Sequence, residues 1–213
     1  LPISTWKMLA ELGHTIVPPV ASLFTFNIND ARIKGLEGVS VPQAAVTVTG
    51  NSKLLATGPV LVTHWGLSGP GILRLSAWGA RYLAGIKYSF EIAVNWAAQQ
   101  PANAVNEILK QYKEEHPKQI VGAHPLFSIP TRLWEKIIPA EINGKRYADL
   151  SNKLMADYLQ AITATRFKVT GKSTFKDEFV TAGGVDLNEV DFRSMQSKKF
   201  AGLYFAGEVL DID

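Results

Sequence analysis

The sequence predicts an α+β fold in which a β-rich unit, a helical unit and a second β-rich stretch follow one another. Residues 44–50 and 88–96 alternate apolar and polar side chains with the period of a strand. Residues 103–162 change to a helical period, and residues 165–208 return to strand-like runs. Strands and helices that are grouped in this way, rather than alternating, are typical of α+β proteins.

The N-terminal part begins with a predicted helix over residues 3–12. Pro18 and Pro19 then favour an extended path, because proline fixes its own backbone and cannot continue a helix. Residues 22–28 form a weakly alternating strand candidate. Residues 51–64, NSKLLATGPVLVTH, predict two strands around a TGP turn, since glycine and proline are the usual turn residues.

The middle of the chain predicts a helix near residues 70–84 and, over residues 88–96, the clearest strand. Three more helices are predicted over residues 103–115, 130–138 and 148–162, since each carries an apolar stripe at helical spacing. Asn103 and Asp149 are the predicted N-caps of two of these helices.

The final third predicts strands over residues 165–171, 178–185 and 202–208, the last of which contains the apolar run 203–206. The last run is expected to be buried and to deliver Gly207 and Glu208 at its carboxyl end. In open α/β sheets, ligands bind at the carboxyl ends of strands, so this point is a candidate ligand site.

Composition narrows the classes of function. The net charge is only +3 and the Lys and Arg residues are scattered, which argues against nucleic-acid binding. Cysteine is absent, which excludes disulfides and thiolate metal sites in this chain and fits a cytoplasmic protein. The four histidines show no metal-ligand spacing, and no apolar stretch reaches the roughly 20 residues of a membrane span. We therefore expect no metal and no membrane partner.

Residues 59–76, PVLVTHWGLSGPGILRLS, are the most distinctive motif, because a strand, a glycine-rich turn and a helix follow one another. Pro70 suits the first turn of that helix. A helix N-terminus favours an anion or an electron-rich oxygen, and His64 beside it could donate a hydrogen bond or a proton.

Three interpretations of this motif compete. The GPG of residues 69–71 resembles the start of a dinucleotide loop, but Arg74 stands where its third glycine belongs. The GLSG of residues 66–69 resembles a nucleophile elbow, but Pro70 occupies the second glycine position. The third interpretation is a tight connection whose glycines serve backbone geometry alone. In the FVTAGGV of residues 179–185, likewise, the paired glycines suit either a ligand contact or a turn.

Together the segments GHTIVPPVASLFTF, GPVLVTHWGLSGPGILRLS and FVTAGGVDLNEVDFRSMQSKKFAGLYFAGEVLDID resemble the YhiN/BaiN-like flavoproteins. These proteins are also described as NAD(P)/FAD-dependent or aminoacetone oxidase family enzymes. The resemblance covers essentially the whole chain. It implies a split-barrel-like β unit and a small helical bundle, inserted into a Rossmann-type FAD-binding domain.

The same resemblance implies a division of the chain into an insert and two flanking remnants of the flavin domain. Residues 1–17 and 166–213 would be the remnants, and residues 18–165 would be the insert, with its β unit at about 18–100 and its helical unit at about 101–165. The chain would then be an internal fragment. Its partners would be a small-molecule substrate and the missing parts of its own FAD-binding domain.

The resemblance also implies positions for the cofactor, which is FAD, with NAD(P)H as a further reductant. Gly207 and Glu208 match the place where such enzymes set a glycine and an acid against the ribityl or phosphate portion. The other matching positions lie in the VTAGGV and THWGLSG segments: Thr181, Gly183, Gly184, Thr63, Gly66, Ser68 and Gly69. His64 is the candidate catalytic residue, on the expectation that this segment faces the flavin ring.

The leading hypothesis is thus a fragment of an FAD-dependent oxidoreductase that is inactive by itself, the insert capping the flavin over an unidentified small organic substrate. One alternative is a serine hydrolase built on Ser68, which would need a histidine paired with an acid such as Asp157 or Asp186. The other alternative is a non-catalytic binding module whose β unit docks a partner.

Overall fold

The computed structural model describes residues 3–98, 100–173 and 180–212. The α-helices within these residues are α1 (Ile3–Glu11), α2 (Pro70–Trp78), α3 (Ala80–Gly85), α4 (Ala102–Glu115), α5 (Thr131–Ile137), α6 (Ala140–Asn143) and α7 (Asn152–Thr163). The strands are β1 (Ile16–Ser22), β2 (Phe26–Asn27), β3 (Ser40–Val48), β4 (Asn51–Val62), β5 (Gly66–Ser68), β6 (Phe90–Asn95), β7 (Thr165–Val169), β8 (Gly171–Lys172), β9 (Val180–Val185), β10 (Val190–Asp191) and β11 (Gln196–Ser197).

Seven of these strands form one antiparallel sheet in the order β7-β6-β3-β4-β5-β2-β8. The two ends of this order, β7 and β8, are separated in the chain by Thr170 alone. The Thr170 N–H donates to the Asn27 carbonyl of β2 at 2.9 Å. One continuous segment therefore pairs with β6 and then with β2, and the sheet closes into a barrel. The expected combination of a β unit with helices is confirmed, and the structure shows that the sheet is antiparallel.

The barrel closes around a hydrophobic core, which the alternation in β6 illustrates. Ile92 and Val94 are fully buried and Trp96 is almost so, while Glu91 and Ala93 lie on the other face. The side-chain alternation predicted for residues 88–96 is confirmed. Removing these apolar side chains from water stabilises the fold at about 25 cal/mol per Å².

The TGP segment is a correction to the sequence prediction. Residues 51–62 form the single strand β4, not two strands around a turn. The pairing with β3 runs Val41 to Val60 and then Ala44 to Gly58, so the register shifts at this point. Between these two pairs β3 contributes Pro42 and Gln43 while β4 contributes Pro59 alone, so a β-bulge in β3 faces Pro59 and β4 continues through it as one strand.

The predicted helices form, but two of their caps differ from the prediction. The helix α4 follows Pro101, so Asn103 lies inside it. The helix α7 is capped by Ser151, whose side chain accepts a hydrogen bond from the Leu154 N–H at 3.3 Å. Asp149 instead belongs to a short 3₁₀ turn. The helix expected near residues 70–84 is divided into α2 and α3 at Gly79.

Buried aromatic side chains hold the helical unit together. The Tyr147 and Tyr158 hydroxyls lie 3.0 Å apart, and the Trp134 ring meets Tyr158 edge-on at 5.8 Å. Burial raises the pKa of Tyr147 to about 12 and raises that of Tyr158 as well. Both hydroxyls therefore remain neutral and serve as hydrogen-bonding groups in the core.

The two chain ends form a second, smaller body, which we call the small unit (residues 3–17 and 185–212). Its core consists of Leu9, Val185, Val190, Phe205 and Leu210. The antiparallel ribbon of β1 and β9 joins it to the barrel.

The small unit overturns the prediction of a buried strand at residues 203–206. Tyr204 makes one isolated bridge to Gln196 and is 61% exposed, and of this run Phe205 alone is buried. The chain then turns through a 3₁₀ helix, Gly207–Val209, so Glu208 does not follow a sheet strand. Residues 203–206 do not form a strand, because the neighbouring β10–β11 hairpin contains only two residue pairs and is too short to serve as a strand partner.

The division into insert and flanking remnants remains a prediction. The barrel sheet itself continues through Lys172, beyond the expected boundary at residue 165. Within the described ranges, the helices lack the length and apolarity that crossing a membrane requires.

Candidate functional site

The THWG segment forms the turn between β4 and β5. The Thr63 N–H donates to the Gly66 carbonyl at 2.8 Å, and the Trp65 N–H donates to the Thr63 hydroxyl at 3.3 Å. His64 therefore lies at the tip of a hairpin. Its side chain is 76% exposed, which leaves its ring accessible to a ligand.

His64 borders a small hollow of about 170 Å³ between this turn and residues 28–37. Its Nδ1 atom lies 3.8 Å from the Glu37 carboxylate. The backbone N–H groups of Glu37 itself and of Gly35 hold the pKa of Glu37 below its usual range, and the charges of His64 and Arg132 lower it further. The hollow therefore places a carboxylate beside an exposed imidazole, a type of side chain that can transfer a proton to a bound ligand.

The glycines of this motif serve the packing of the chain itself. Gly66 has a φ of +149°, and a Cβ there would collide with the Phe26 carbonyl and with the Ile28 nitrogen. Gly69 has a φ of +92°, and its Cβ would lie 2.8 Å from the Pro59 carbonyl. The geometric interpretation thus accounts for both glycines. Their role as flavin contacts remains a prediction.

Ser68 has a hydroxyl neighbour, not a basic one. The Thr25 hydroxyl donates to the Ser68 hydroxyl at 2.8 Å. Of the two acids considered for a hydrolase, Asp157 lines a groove of about 960 Å³ beside α7, and Asp186 caps the N–H of Asn188 at 2.9 Å. No histidine is bonded to Ser68 within the described residues, so the structure does not support a hydrolase at this serine.

The second set of predicted residues lies on β9 and in the turn that follows residue 206. Thr181 pairs with Ala21 on β1. Gly183 has a φ of +103°, and its Cβ would lie 2.7 Å from the Pro18 carbonyl, while Gly184 packs against Val209 and Leu210. The close approach that these glycines permit is therefore to the chain's own backbone.

Gly207 and Glu208 differ from the other predicted contacts because they face open space. Gly207 has a φ of +72° and no atom lies within 4 Å of its Cβ position, while Glu208 is exposed. The structure brings this turn next to Gly184, through the bridge between Val185 and Leu210. No hydrogen bond or ion pair among the described residues joins it to the His64 turn.

Sequence reasoning missed a buried polar cluster in the small unit. His14 Nδ1 lies 2.8 Å from Glu189 Oε2, and His14 Nε2 lies 3.0 Å from the Ser197 hydroxyl. Glu189 also accepts from the Thr15 N–H at 3.0 Å, and Lys199 Nζ donates to it. These residues lie about as far apart in the sequence as the chain allows, so no local pattern could have joined them.

The order serine, histidine, carboxylate is that of a hydrolytic triad, but this cluster is structural. His14 and Ser197 are 4% and 6% exposed, so no substrate reaches them. The Ser197 hydroxyl already accepts from the N–H groups of Lys199 at 3.0 Å and Phe200 at 2.8 Å. The hydrogen bonds of this cluster connect the segment after α1 to the β10–β11 hairpin.

The comparisons with known proteins agree with this architecture. Residues 20–180 match the family described as "HI0933-like protein barrel and H2TH domain". The chain is 30% identical over 97% of its length to the ribosomal RNA dihydrouridine synthase of Haemophilus influenzae, and 27% identical over 97% to that of Escherichia coli K12. It is 22% identical over 99% of its length to the 3-dehydro-bile acid delta(4,6)-reductase of Clostridium scindens.

The match covers 49%, 50% and 52% of these three relatives, so the chain spans about half of their length. The family that the sequence resembled is confirmed by a match over most of the chain. The chain belongs to the HI0933-like flavoprotein family, the YhiN/BaiN family, and contains its barrel and H2TH domain.

Proposed function

We propose that this chain is the barrel-containing half of a flavin-dependent reductase that saturates a carbon–carbon double bond. The observation that carries the proposal is the family match over the barrel and the helical unit. The names of the relatives support the reaction class, since dihydrouridine is uridine with one double bond saturated, and the third relative is itself named a reductase.

Among the glycines that we predict to contact FAD, Gly207 alone has open space beside it. The open turn of Gly207 and Glu208 would accept a group that approaches from outside. The chain's own backbone fills the space beside the other four glycines, which are Gly66, Gly69, Gly183 and Gly184. Most of the cofactor's binding site would therefore belong to the half of the relatives that this chain does not span.

The reaction needs a hydride at one carbon and a proton at the other. The hydride comes from the reduced flavin when FAD is bound. His64 is the residue that we assign to the proton, because its ring is exposed at a hairpin tip and faces the Glu37 carboxylate. The barrel would position this histidine beside the reacting atoms through the turn between β4 and β5.

The preferred substrate is a uridine of ribosomal RNA, since two relatives bear that name at higher identity than the bile acid reductase. This differs from the small-molecule substrate that the sequence led us to expect. A small conjugated ketone is the second candidate, favoured by the third relative, which matches 99% of the chain.

The test uses the complete gene product, reduced anaerobically with NADH or NADPH and then mixed with unmodified ribosomal RNA. We expect dihydrouridine in the RNA by mass spectrometry. If RNA leaves the flavin reduced and a steroidal enone reoxidises it, the second candidate replaces the first. If the protein binds no flavin, both candidates fail.

Substitution of His64 tests the assignment of the proton donor. In the complete gene product, His64→Ala should slow reoxidation of the reduced flavin by substrate about a hundredfold, the usual effect of losing a general acid. Stopped-flow absorbance measures this rate. His124→Ala removes another exposed histidine and should leave it unchanged. Equal rates in the wild type and in His64→Ala would remove His64 from the mechanism.

A further inference from the structure

Asn29 lies beside the His64 turn and lines the same hollow. The pairing of β2 with β5 continues one residue past β2, since the Ile28 N–H donates to the Trp65 carbonyl at 2.8 Å. Continuing this register by one more residue places Asn29 opposite His64. Both residues border the hollow of about 170 Å³, so a ligand that enters it can contact both side chains.

The Asn29 amide is available to such a ligand. The residue is exposed, and no hydrogen bond within the described residues occupies its side chain. Other polar groups of the hollow are less suitable as donors. The Thr63 hydroxyl already donates to the Gly66 carbonyl at 3.3 Å, and the Glu37 carboxylate is ionised and can only accept.

The backbone that carries Asn29 is held on both sides. Before it, the Ile28 N–H is bonded to the β5 segment. After it, the Asp30 carbonyl accepts from the Ile33 N–H at 3.2 Å, and the Asp30 carboxylate accepts from Arg32 Nε at 2.9 Å and Nη2 at 2.7 Å. The hydrogen bond from Arg32 lowers the pKa of Asp30, so this turn keeps its ion pair at neutral pH. Binding of a ligand therefore needs to order the Asn29 side chain alone.

The proposed reaction needs a hydrogen-bond donor in addition to the proton from His64. Uridine and a conjugated ketone both contain a carbon–carbon double bond next to a carbonyl group. When the hydride adds to the β carbon, the electron pair of the double bond shifts towards the carbonyl and leaves a negative charge on its oxygen. A proton that reaches the α carbon then restores the carbonyl, with the cofactor left oxidised. A donor at the carbonyl oxygen stabilises the charge between these two steps.

We propose that the Asn29 amide donates a hydrogen bond to the carbonyl oxygen of the substrate while His64 gives its proton to the α carbon. The inference rests on the proposed function, because it assigns to Asn29 a step of that reduction. The carbonyl oxygen and the α carbon are bonded to the same carbon atom, so two neighbouring side chains can reach them together. In uridine these two atoms are O4 and C5. The imidazole then regains its proton from solvent.

Lys34 is the rival donor, since it also lines the hollow, is exposed and has no partner within the described residues. Its own N–H donates to the Asp30 carbonyl at 3.3 Å, so it belongs to the turn that follows Asn29. The register of β2 with β5 brings Asn29, and not Lys34, opposite His64. A long lysine side chain also loses more conformational entropy than an asparagine side chain when it is ordered.

The first measurement follows reoxidation of the reduced complete gene product by whichever candidate substrate it reduces, in a stopped-flow instrument. Asn29→Ala should lower the limiting rate about a hundredfold, the scale for losing one donor to a developing oxyanion. The substrate concentration at half the limiting rate should change little, because this hydrogen bond strengthens as the charge develops. Asn29→Asp should be at least as slow, since a carboxylate repels the oxyanion. Asn103→Ala removes an exposed asparagine of α4 outside the hollow and should react like the wild type.

Binding of barbiturate tests the same hydrogen bond without turnover. Barbiturate is a pyrimidine that exists as an enolate anion at neutral pH, so it resembles uracil after the hydride has been added. Isothermal titration calorimetry with the oxidised complete gene product measures its affinity. Asn29→Ala should weaken binding at least about tenfold, the effect of losing a hydrogen bond to a charged group. Asn29→Gln retains an amide and should recover part of this loss, and Asn103→Ala should bind like the wild type.

The inference is overturned if the wild-type protein does not bind barbiturate, if Asn29→Ala binds it equally well, or if Lys34→Gln slows reoxidation and Asn29→Ala does not. If the wild type and Asn29→Ala reduce the substrate at the same rate, the inference fails and the proposed function stands. If the complete gene product contains no flavin but binds barbiturate through Asn29, the proposed function fails and Asn29 stands as the residue that binds the oxygen.

Discussion

The barrel and the small unit are stabilised by different forces, although they lie in one chain. The barrel encloses a continuous core with Phe24, Phe26, Trp96 and Phe167 almost fully buried. The small unit has a core of five side chains, and the polar cluster around Glu189 joins its parts. We therefore expect the barrel to resist changes of pH and the small unit to depend on charge.

This contrast has a functional meaning. The barrel positions the His64 turn, whereas the small unit carries the open turn at Gly207 that we assign to the cofactor. A site that is divided between a rigid and a less stable body can change its geometry by local unfolding of the weaker one. The following predictions test whether the two bodies differ in this way.

The largest expected effect is that of Phe26→Ala in the barrel. The Phe26 ring is fully buried and meets Phe90 edge-on at 5.2 Å. The free energy of unfolding should fall by about 3 to 5 kcal/mol, because the substitution leaves a cavity. Chemical denaturation measures this loss. Phe192→Ala, at an exposed position, should change stability by less than about 0.5 kcal/mol, and equal losses in the two variants would refute a barrel stabilised by its core.

An intermediate effect is expected for Glu189→Gln in the small unit. The substitution removes the carboxylate that His14, Thr15 and Lys199 contact, so it should cost about 1 to 3 kcal/mol. Hydrogen exchange should quicken at the amides of Phe205 and Leu210, while Ile92 in β6 stays protected. Equal quickening in both bodies would show that they unfold together.

The same carboxylate makes the small unit sensitive to acid. Burial raises the pKa of Glu189, but hydrogen bonds from Lys199, Thr15 and His14 outweigh it and lower the pKa to about 2 from an ordinary value of 4.5. A group whose pKa falls on folding stabilises the folded state above its ordinary pKa, and this contribution is lost as the pH falls from 4.5 towards 2. Hydrogen-exchange protection factors in the small unit, which correct for the intrinsic exchange rate at each pH, should therefore fall over this range in the wild type, and Glu189→Gln should abolish this fall.

The smallest effect is expected at the ion pair between the two bodies. Arg81 and Asp211 are 40% and 24% exposed, so solvent screens their attraction. A double-mutant cycle with Arg81→Gln and Asp211→Asn should give a coupling of about 0.2 to 1 kcal/mol. A much larger coupling would mean that this pair, and not the β1–β9 ribbon, holds the small unit to the barrel.

The sequence predicted the barrel better than the small unit for a physical reason. In β6 each buried side chain has a core to face, so the alternation of Phe90, Ile92 and Val94 was enough to identify the strand. The run at residues 203–206 is equally apolar, but the hairpin beside it is too short to extend a sheet. Local pattern could not reveal this, because strand formation depends on the available partner.

The candidate site shows the same limit. The letters of the THWGLSGPG segment predict a turn and a helix, but they do not predict the short strand β5 that lies between the two. The sequence alone could not show that backbone from other segments packs against Gly66 and Gly184, or that Gly207 faces open space. The difference depends on backbone from distant parts of the chain, as does the cluster of His14, Glu189 and Ser197.

The most direct test of the central claim is the anaerobic absorbance spectrum of the purified complete gene product. We predict the flavin bands, their bleaching by NADH or NADPH, and their return when ribosomal RNA that lacks dihydrouridine is added. A protein without flavin bands, or a reduced flavin that neither RNA nor a small enone reoxidises, would contradict the account.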